Sequence, residues 1–263
     1  MISLFRKIRQ KLLSQNRFTR YLVYAIGEIF LVVIGILIAL QINTWNENRK
    51  YRNQEADFYS DVLSDLDKDL EKLDFLTEFH RNRIEILSTL LTHLRNSADK
   101  MGAEKFGMLV EPLYYSEAAT SYSTTFESAK SSGAFSNFRQ KETLKALDKY
   151  YADFENVRIS MNSITDFIND RFEPVMATIP SLHMSNNSGK MVMAEKGNSK
   201  FYELLDSIKD NRIIKSDHEK VLYDPRFEAY VIGDLGRCFN LLAKIETRKE
   251  NILSLKAQIN GHF

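Results

Sequence analysis

The longest uninterrupted apolar run lies near the start of the chain. Tyr21 to Ile42 reads YLVYAIGEIFLVVIGILIALQI, with Glu28 as its one formal charge and no polar side chain between Ile29 and Leu40. At about 1.5 Å per residue, a helix of this length covers roughly 33 Å, enough to cross a bilayer's hydrocarbon core. A soluble core helix would interleave polar positions every third or fourth residue. A cleaved signal peptide would have a shorter apolar region and small residues at its end, whereas Gln41-Ile42-Asn43-Thr44-Trp45 follows here. The run therefore predicts an uncleaved membrane helix.

Beyond residue 43 the pattern becomes periodic. No Gly or Pro occurs from Ile36 to Met101, and Val62, Leu66, Leu70, Leu73, Leu76 or Thr77, then Leu87, Leu90 or Leu91, and Leu94 recur at three and four. This is an amphipathic helix with one apolar stripe to bury; the Asn-rich NTWNEN at 43–48 marks a point where it could separate from the membrane helix. Ser97 to Ser136 loses the period and predicts short helices joined by turns, with Gly133 as a C-cap. Asn137 and Gln140 resemble a capping box opening a helix that runs from Phe138 to about Phe172 and is ended by Pro174 and Pro180. Its inner face is Leu144, Leu147, Tyr150 or Tyr151, Phe154, Val157, Met161, Ile164 and Ile168. Residues 181–199 read as an exposed loop, followed by a shorter helix near Lys200 to Asp210 and a brief one opened by Ser216-x-x-Glu219. Asp224-Pro225 then gives an N-cap and a proline at the first helical position. The last helix carries Phe227, Val231, Leu235, Phe239, Leu242, Ile245, Ile252, Leu255 and Ile259 as its predicted inner face.

Three long amphipathic helices and a shorter one predict an all-α fold, a single transmembrane helix followed by an extracytoplasmic antiparallel helical bundle. The divisions are a basic cytoplasmic arm at 1–20, the membrane helix at 21–42 and the bundle at 43–263. Composition agrees: 10 Gly and 4 Pro in 263 residues disfavour turn-rich β architecture, and 27% charged residues exclude a polytopic membrane protein. One cysteine, Cys238, excludes an internal disulfide framework.

The net charge of +1 hides an asymmetry. The first 20 residues hold Arg6, Lys7, Arg9, Lys11, Arg17 and Arg20 and no acid, against three Lys and Arg (Arg49, Lys50, Arg52) just after the apolar run. The positive-inside bias then places the N-terminus in the cytoplasm and the remainder across the membrane. Phe5, Ile8 and Leu12 recur at helical spacing, so the arm's six cations are candidates for contact with anionic headgroups. What remains outside is acidic, 30 Lys+Arg against 34 Asp+Glu, which gives nucleic acid no basic face. Inside the span, Tyr21, Tyr24, Glu28, Gly35 and Ala39 fall on one stripe, with Gly35 and Ala39 a small-xxx-small pair. The stripe is a candidate contact with another membrane helix, with Glu28 protonated or shared; the alternative is a Glu28 that snorkels to headgroups. Trp45, the only tryptophan, suits an interfacial anchor.

The basic arm followed by YAIGEIFLVVIGILIALQINTWNE at 24–47 resembles the opening of an uncharacterised family of bacterial single-pass envelope proteins, a domain of unknown function. SSGAFSNF at 131–138 and KYYADF at 149–154 also resemble that family. The resemblance implies placement in a bacterial inner membrane with the remainder in the periplasm, and a helical shape, but no activity. Gly27-Glu28, Gln41 and Trp45-Asn46 match its motif as they stand.

Chemistry is scarce in the pattern. Asp65-Leu66-Asp67-Lys68-Asp69 alternates like half a calcium loop, but position six is Leu70 and position twelve Leu76, so it reads as a solvated helix face. His80, His93, His183, His218 and His262 show no metal-ligand spacing, and phosphate loops and the G-x-S-x-G elbow are absent from the sequence. Asp217-His218-Glu219 reads as a charged helix start, the aromatic residues as core packing, and Cys238 as a buried apolar residue. No catalytic, cofactor or metal residue is assigned, and no cofactor is expected. The expectation is a membrane-anchored, non-enzymatic interaction or sensor module, with the lipid bilayer and an unidentified envelope protein as partners. A homo-oligomeric scaffold assembled through the membrane helix is the alternative, and an enzyme with a site built across helices is the third.

Overall fold

The computed structural model describes residues 18–96, 100–179 and 218–262, with the single positions 7, 10, 200, 203, 204, 207, 208, 209 and 211; of residues 18–21 only the backbone is described. The described residues are helical, and no strand occurs among them. In chain order the elements are α1 (Phe18–Arg95), α2 (Ala103–Val110), a 3-10 turn (Glu111–Tyr114), α3 (Thr124–Ser131), a second 3-10 turn (Ala134–Asn137), α4 (Lys141–Phe167), a π-helical turn (Ile168–Phe172), α5 (Glu173–Met176), α6 (Glu219–Leu222) and α7 (Pro225–Asn260). The chain divides into two units, Met1–Asp57 and Phe58–Phe263, and α1 contributes to both.

In the first unit every large apolar side chain from Leu22 to Ile42 is exposed. Each such side chain gains about 1.5–3 kcal/mol on leaving water, so together they would cost tens of kcal/mol left in it. This part of α1 is long and apolar enough to cross a membrane. NTWNEN does not interrupt the helix: Asn43 Nδ2 donates to Glu47 Oε1 at 3.1 Å, one turn on.

In the second unit the predicted stripe of α1 is inside. Val62, Leu66, Leu73, Leu76, Leu87 and Leu90 are buried, while Leu70, Leu91 and Leu94 are half-buried against the same core. Contacts along α7 run in the opposite chain sense to α1: Lys256 meets Asp67, Arg248 meets Asp69, Asp234 meets Arg83 and Glu228 meets Arg95. α7 also runs opposite to α4, with Gln258 on Thr143, Arg248 on the Tyr150 carbonyl, Lys244 on Ser160 and Arg237 on Ser163.

The ends of the elements show which local signals act. Asp224 caps α7, accepting the Arg226 N–H at 2.8 Å, with Pro225 in the first turn. Gly133 follows α3 in the left-handed region at φ 75°, where its missing Cβ removes the steric cost. The Asn137/Gln140 capping box does not form: Asn137 closes the preceding 3-10 turn, and α4 starts at Lys141 with no side-chain cap on Gln140. Pro174 does not end the helix either. The chain relaxes into the π turn, and Pro174 enters the first turn of α5, where it has no N–H bond to lose. The loop at 181–199, Pro180, His183, Ser216 and Asp217 lie outside the described residues, as do residues 201, 202, 205, 206 and 210 of the helix expected at 200–210.

Candidate functional site

Two buried charge clusters tie the helices of the second unit together. In the first, Arg83 of α1 is wholly buried against Asp234 of α7, also wholly buried. Arg83 Nε donates to Asp234 Oδ2 at 2.9 Å, Nη2 donates to the Tyr230 hydroxyl at 2.8 Å, and Tyr230 donates in turn to Asp234 Oδ2 at 2.9 Å. Two further guanidinium protons reach the backbone oxygens of Leu113 at 3.1 Å and Tyr115 at 2.9 Å. A buried guanidinium is tolerated only with such a set of acceptors. Around it the rings of Phe167 and Phe172 both stack on Tyr230, at 5.4 and 4.8 Å. The π turn between them, five residues long, gives the spacing that brings both rings to one partner. Phe167 also lies on Gly233, where an added Cβ would stand 2.6 Å from the ring.

Cys238 and His80 belong to the same cluster. Cys238 Sγ is 3.7 Å from His80 Nδ1 and 3.9 Å from Asp234 Oδ1. The thiol thus lies between the imidazole and the carboxylate, whereas a nucleophilic site would place the imidazole between the other two. Their environment opposes that chemistry. Burial pushes the Cys238 thiol up, and burial together with the Arg83 guanidinium drives His80 down to about 3. A neutral thiol beside a neutral imidazole, both enclosed, is a structural pair. His80 Nε2 is buried without a hydrogen-bond partner among the described residues.

The second cluster centres on Asp69 of α1, 2% exposed. Its carboxylate accepts from the Tyr150 hydroxyl at 2.6 Å, the Tyr122 N–H at 2.7 Å, Ser121 Oγ at 2.9 Å and Arg248 Nη2 at 3.2 Å. The Arg248 guanidinium lies 3.7 Å from the Tyr150 ring centroid and 4.9 Å from that of Phe154. One turn earlier Asp65 accepts from Thr125 Oγ1 at 2.6 Å. Beside it, Phe126 packs on Phe135 and Tyr151, and Phe135 and Phe138 pack on Phe58. The segments SSGAFSNF and KYYADF therefore meet around one aromatic and acidic cluster.

Both clusters hold the same piece of chain. Arg83 takes the carbonyls of Leu113 and Tyr115, Lys72 pairs with Glu117, and Asp69 and Asp65 take Ser121, Tyr122 and Thr125. From Tyr115 to Ser123 exposure alternates: Ser116, Ala118, Thr120 and Tyr122 face out and the residues between them are half-buried. The segment is extended and fastened by charge-assisted hydrogen bonds in place of a sheet.

These clusters correct the sequence reading at three places. Asp65 and Asp69 are buried, so the acidic run is not a solvated face; only Asp67 and Lys68 of its charges are exposed. Cys238 is buried but sits among Asp234, His80 and Arg83, not in an apolar setting. The inner face of α7 includes Phe227, Val231, Ile245, Ile252, Leu255 and Ile259 as expected, but departs from the prediction in its middle: Asp234, Cys238 and Leu241 are buried, Leu235 and Leu242 only half-buried, and Phe239 is 60% exposed. A carboxylate and a thiol took inward positions that an apolar period would assign elsewhere, because Arg83 waits opposite them. His218 does more than open a helix. Its Nε2 lies 2.7 Å from the Met101 carbonyl, and its ring packs on Phe106.

The membrane-stripe residues stand as follows. Tyr24, Glu28 and Ala39 are exposed on α1, and a Cβ at Gly35 would meet nothing within 4 Å. The side chain of Tyr21 lies outside the described residues. Trp45 is exposed on the same helix. Of the arm, Lys7 is exposed, and the side chains of Arg6, Arg9, Lys11, Arg17 and Arg20 lie outside the described residues. Among the described residues no group of three or more His, Cys, Asp and Glu side chains could hold a metal ion.

Two grooves flank α7. One, about 700 Å³, lies toward α1 and includes Asp74, Glu78, Arg81, Phe239 and Glu246. The other, about 360 Å³, lies toward α4 and includes Asp153, Asn156, Asn240, Lys244 and Asn251. Ala243 borders both.

The sequence profile of DUF6090, a family of unknown function, matches residues 28–162, just over half of the chain. The match takes in the apolar run from Glu28 onward, Asp65, Asp69, Arg83, the extended segment and both aromatic motifs. No curated protein matches the chain, and no solved structure matches it.

Proposed function

The chain belongs to the family of unknown function DUF6090, and we propose that it is a membrane-anchored interaction module, non-enzymatic, with its helical second unit in the bacterial periplasm. The observation that carries this reading is the exposure of every large apolar side chain from Leu22 to Ile42, which a hydrocarbon surrounding would relieve. Six cations and no acid on its N-terminal side set the orientation. The groups best suited to chemistry support a holding role: Cys238 and His80 are enclosed and neutral, and Arg83, Asp69, Asp234 and Arg248 bond one another, Tyr150, Tyr230, Cys238 and residues 113–122. Among the described residues, the two grooves beside α7 are open to a partner.

The testing experiment fuses alkaline phosphatase and, separately, a fluorescent protein to the C-terminus of the full chain. Active phosphatase with a dark fluorescent protein is expected. The opposite pattern, or a fusion recovered in the soluble fraction, would overturn the placement. Purification in gentle detergent then identifies what the module holds.

A second reading rests on the Glu28, Gly35 and Ala39 stripe, with no Cβ at Gly35 to obstruct a neighbouring helix: a scaffold assembled through the membrane segment. Cysteines at Gly35 and Ala39 then crosslink between copies while one at Leu37 does not, and equal yields at all three remove it.

A further inference from the structure

The far end of the apolar run carries polar groups that neither buried cluster uses. α1 continues unbroken past Ile42. At a rotation of 100° per residue, Ile42, Trp45, Asn46, Arg49, Arg52 and Asn53 fall within about 60° of one line along it. All six are exposed, Trp45 at 60%. Beyond Ile42 this stripe holds an indole N–H, two amides and two guanidinium groups, and no carboxylate. The nearest acid, Glu47, lies about 160° round the helix from Arg49, and it accepts from Asn43. Among the described residues no ion pair or hydrogen bond holds Arg49 or Arg52.

Depth matches charge. Arg49 and Arg52 stand about 10 and 15 Å beyond Ile42 along the axis. Helical side chains lean toward the helix N-terminus, here the membrane side, and an extended arginine reaches about 6 Å. Their guanidinium groups then fall about 4 and 9 Å past the hydrocarbon edge, bracketing a headgroup layer that ends about 5–8 Å past it. Trp45 lies one turn below Arg49, at the level where aromatic belts form.

We propose that Trp45, Arg49 and Arg52 form a binding site for the phosphate of an anionic phospholipid, in the leaflet at the C-terminal end of the membrane helix. The site rests on the anchored reading above, and continuity fixes its occupant: the stripe begins in the apolar run, so lipid packed on Ile42 meets Trp45 and Arg49 next. Two guanidinium groups about one turn apart clamp one phosphate between them, and the indole ring packs at the glycerol level. A zwitterionic headgroup finds no carboxylate on the stripe for its cationic end, which sets the preference for a lipid of net negative charge. The six cations of the arm lie at the opposite end of the span and serve the other leaflet.

The chain's only tryptophan is the probe. The full-length protein is reconstituted in vesicles of phosphatidylcholine and phosphatidylglycerol in equal parts, with the acyl chains of one or the other brominated to quench Trp45 on contact. Phosphatidylglycerol is expected to be enriched about fivefold beside Trp45, the scale of one cation near a charged surface. Arg49→Gln with Arg52→Gln should bring the two lipids level. A preference that survives this double variant overturns the site. So does a loss on Lys50→Gln as large as that on Arg49→Gln, which would mean diffuse attraction and no clamp. Inorganic phosphate added at constant ionic strength should leave the preference intact; its disappearance would make this a site for free anions and overturn the lipid assignment. Equal quenching by both lipids in the unaltered protein refutes the site and leaves the anchoring standing. Quenching by neither removes Trp45 from the bilayer and refutes the anchoring itself.

Discussion

Removing Asp234 tests the account of the interior most directly. Arg83 and Asp234 are both wholly buried, and the guanidinium's other acceptors are the Tyr230 hydroxyl and the carbonyls of Leu113 and Tyr115, all neutral. Asp234→Asn keeps the shape and leaves a buried cation without its counter-charge, which costs about 3–5 kcal/mol. For a unit of this size, each kcal/mol corresponds to roughly 2–4 °C, so the melting temperature should fall by roughly 6–20 °C. Replacing the pair together, Arg83→Met with Asp234→Leu, removes both charges and should cost less than either single change. Urea unfolding of the full chain in mild detergent measures this, followed by helical circular dichroism and by pulse labelling of Cys238. That thiol is the only one in the chain and is enclosed in the same cluster, so its reaction with a maleimide reports opening of the core. Trp45 fluorescence would not serve, because the side chain is exposed and lies in the other unit. A loss below about 1 kcal/mol for Asp234→Asn, or a double variant as weak as the sum of the singles, would refute the view that this pair is enclosed and coupled.

Three further outcomes are expected. His80 should make the protein acid-sensitive: its folded pKa of about 3 lies below the ordinary value of 6.5, so the unfolded chain binds the extra proton and stability falls as pH drops through that window. Between pH 7 and 5 the loss is about 2 kcal/mol from this group, and His80→Gln should lack that part of the slope in urea titrations at the two pH values. Gly233→Ala drives a Cβ to 2.6 Å from a Phe167 ring confined by Tyr230 and Arg237; a loss of about 1–3 kcal/mol is expected, relieved by adding Phe167→Leu, and an unchanged midpoint would contradict the packing. Asp69→Asn weakens the charge-assisted acceptor of the Tyr122 N–H, so hydrogen exchange at residues 115–125 should quicken at least tenfold while that of α4 changes less; uniform quickening would mean global destabilisation instead.

The local pattern determined a great deal. The helical class, the membrane-length run, the cap at Asp224 and the left-handed turn at Gly133 all depend on neighbours within a few residues, and α4 buries the stripe its period predicts, Leu144 through Ile168. Local preference also misled. The capping box at Asn137 and Gln140 lost to the turn that precedes it, and Pro174 was absorbed by a π turn whose reward is two rings on Tyr230. Only the tertiary structure decided which polar groups go inside. Asp69 is buried because Arg248, 179 positions away, brings a counter-charge, and Asp234 because Arg83 lies opposite it, 151 positions away. Burial of an ion depends on a partner that periodicity does not encode, since the same aspartate alone on a helix would stay in water. Once Asp234 and Cys238 took inward positions on α7, the helix had to present Phe239 outward.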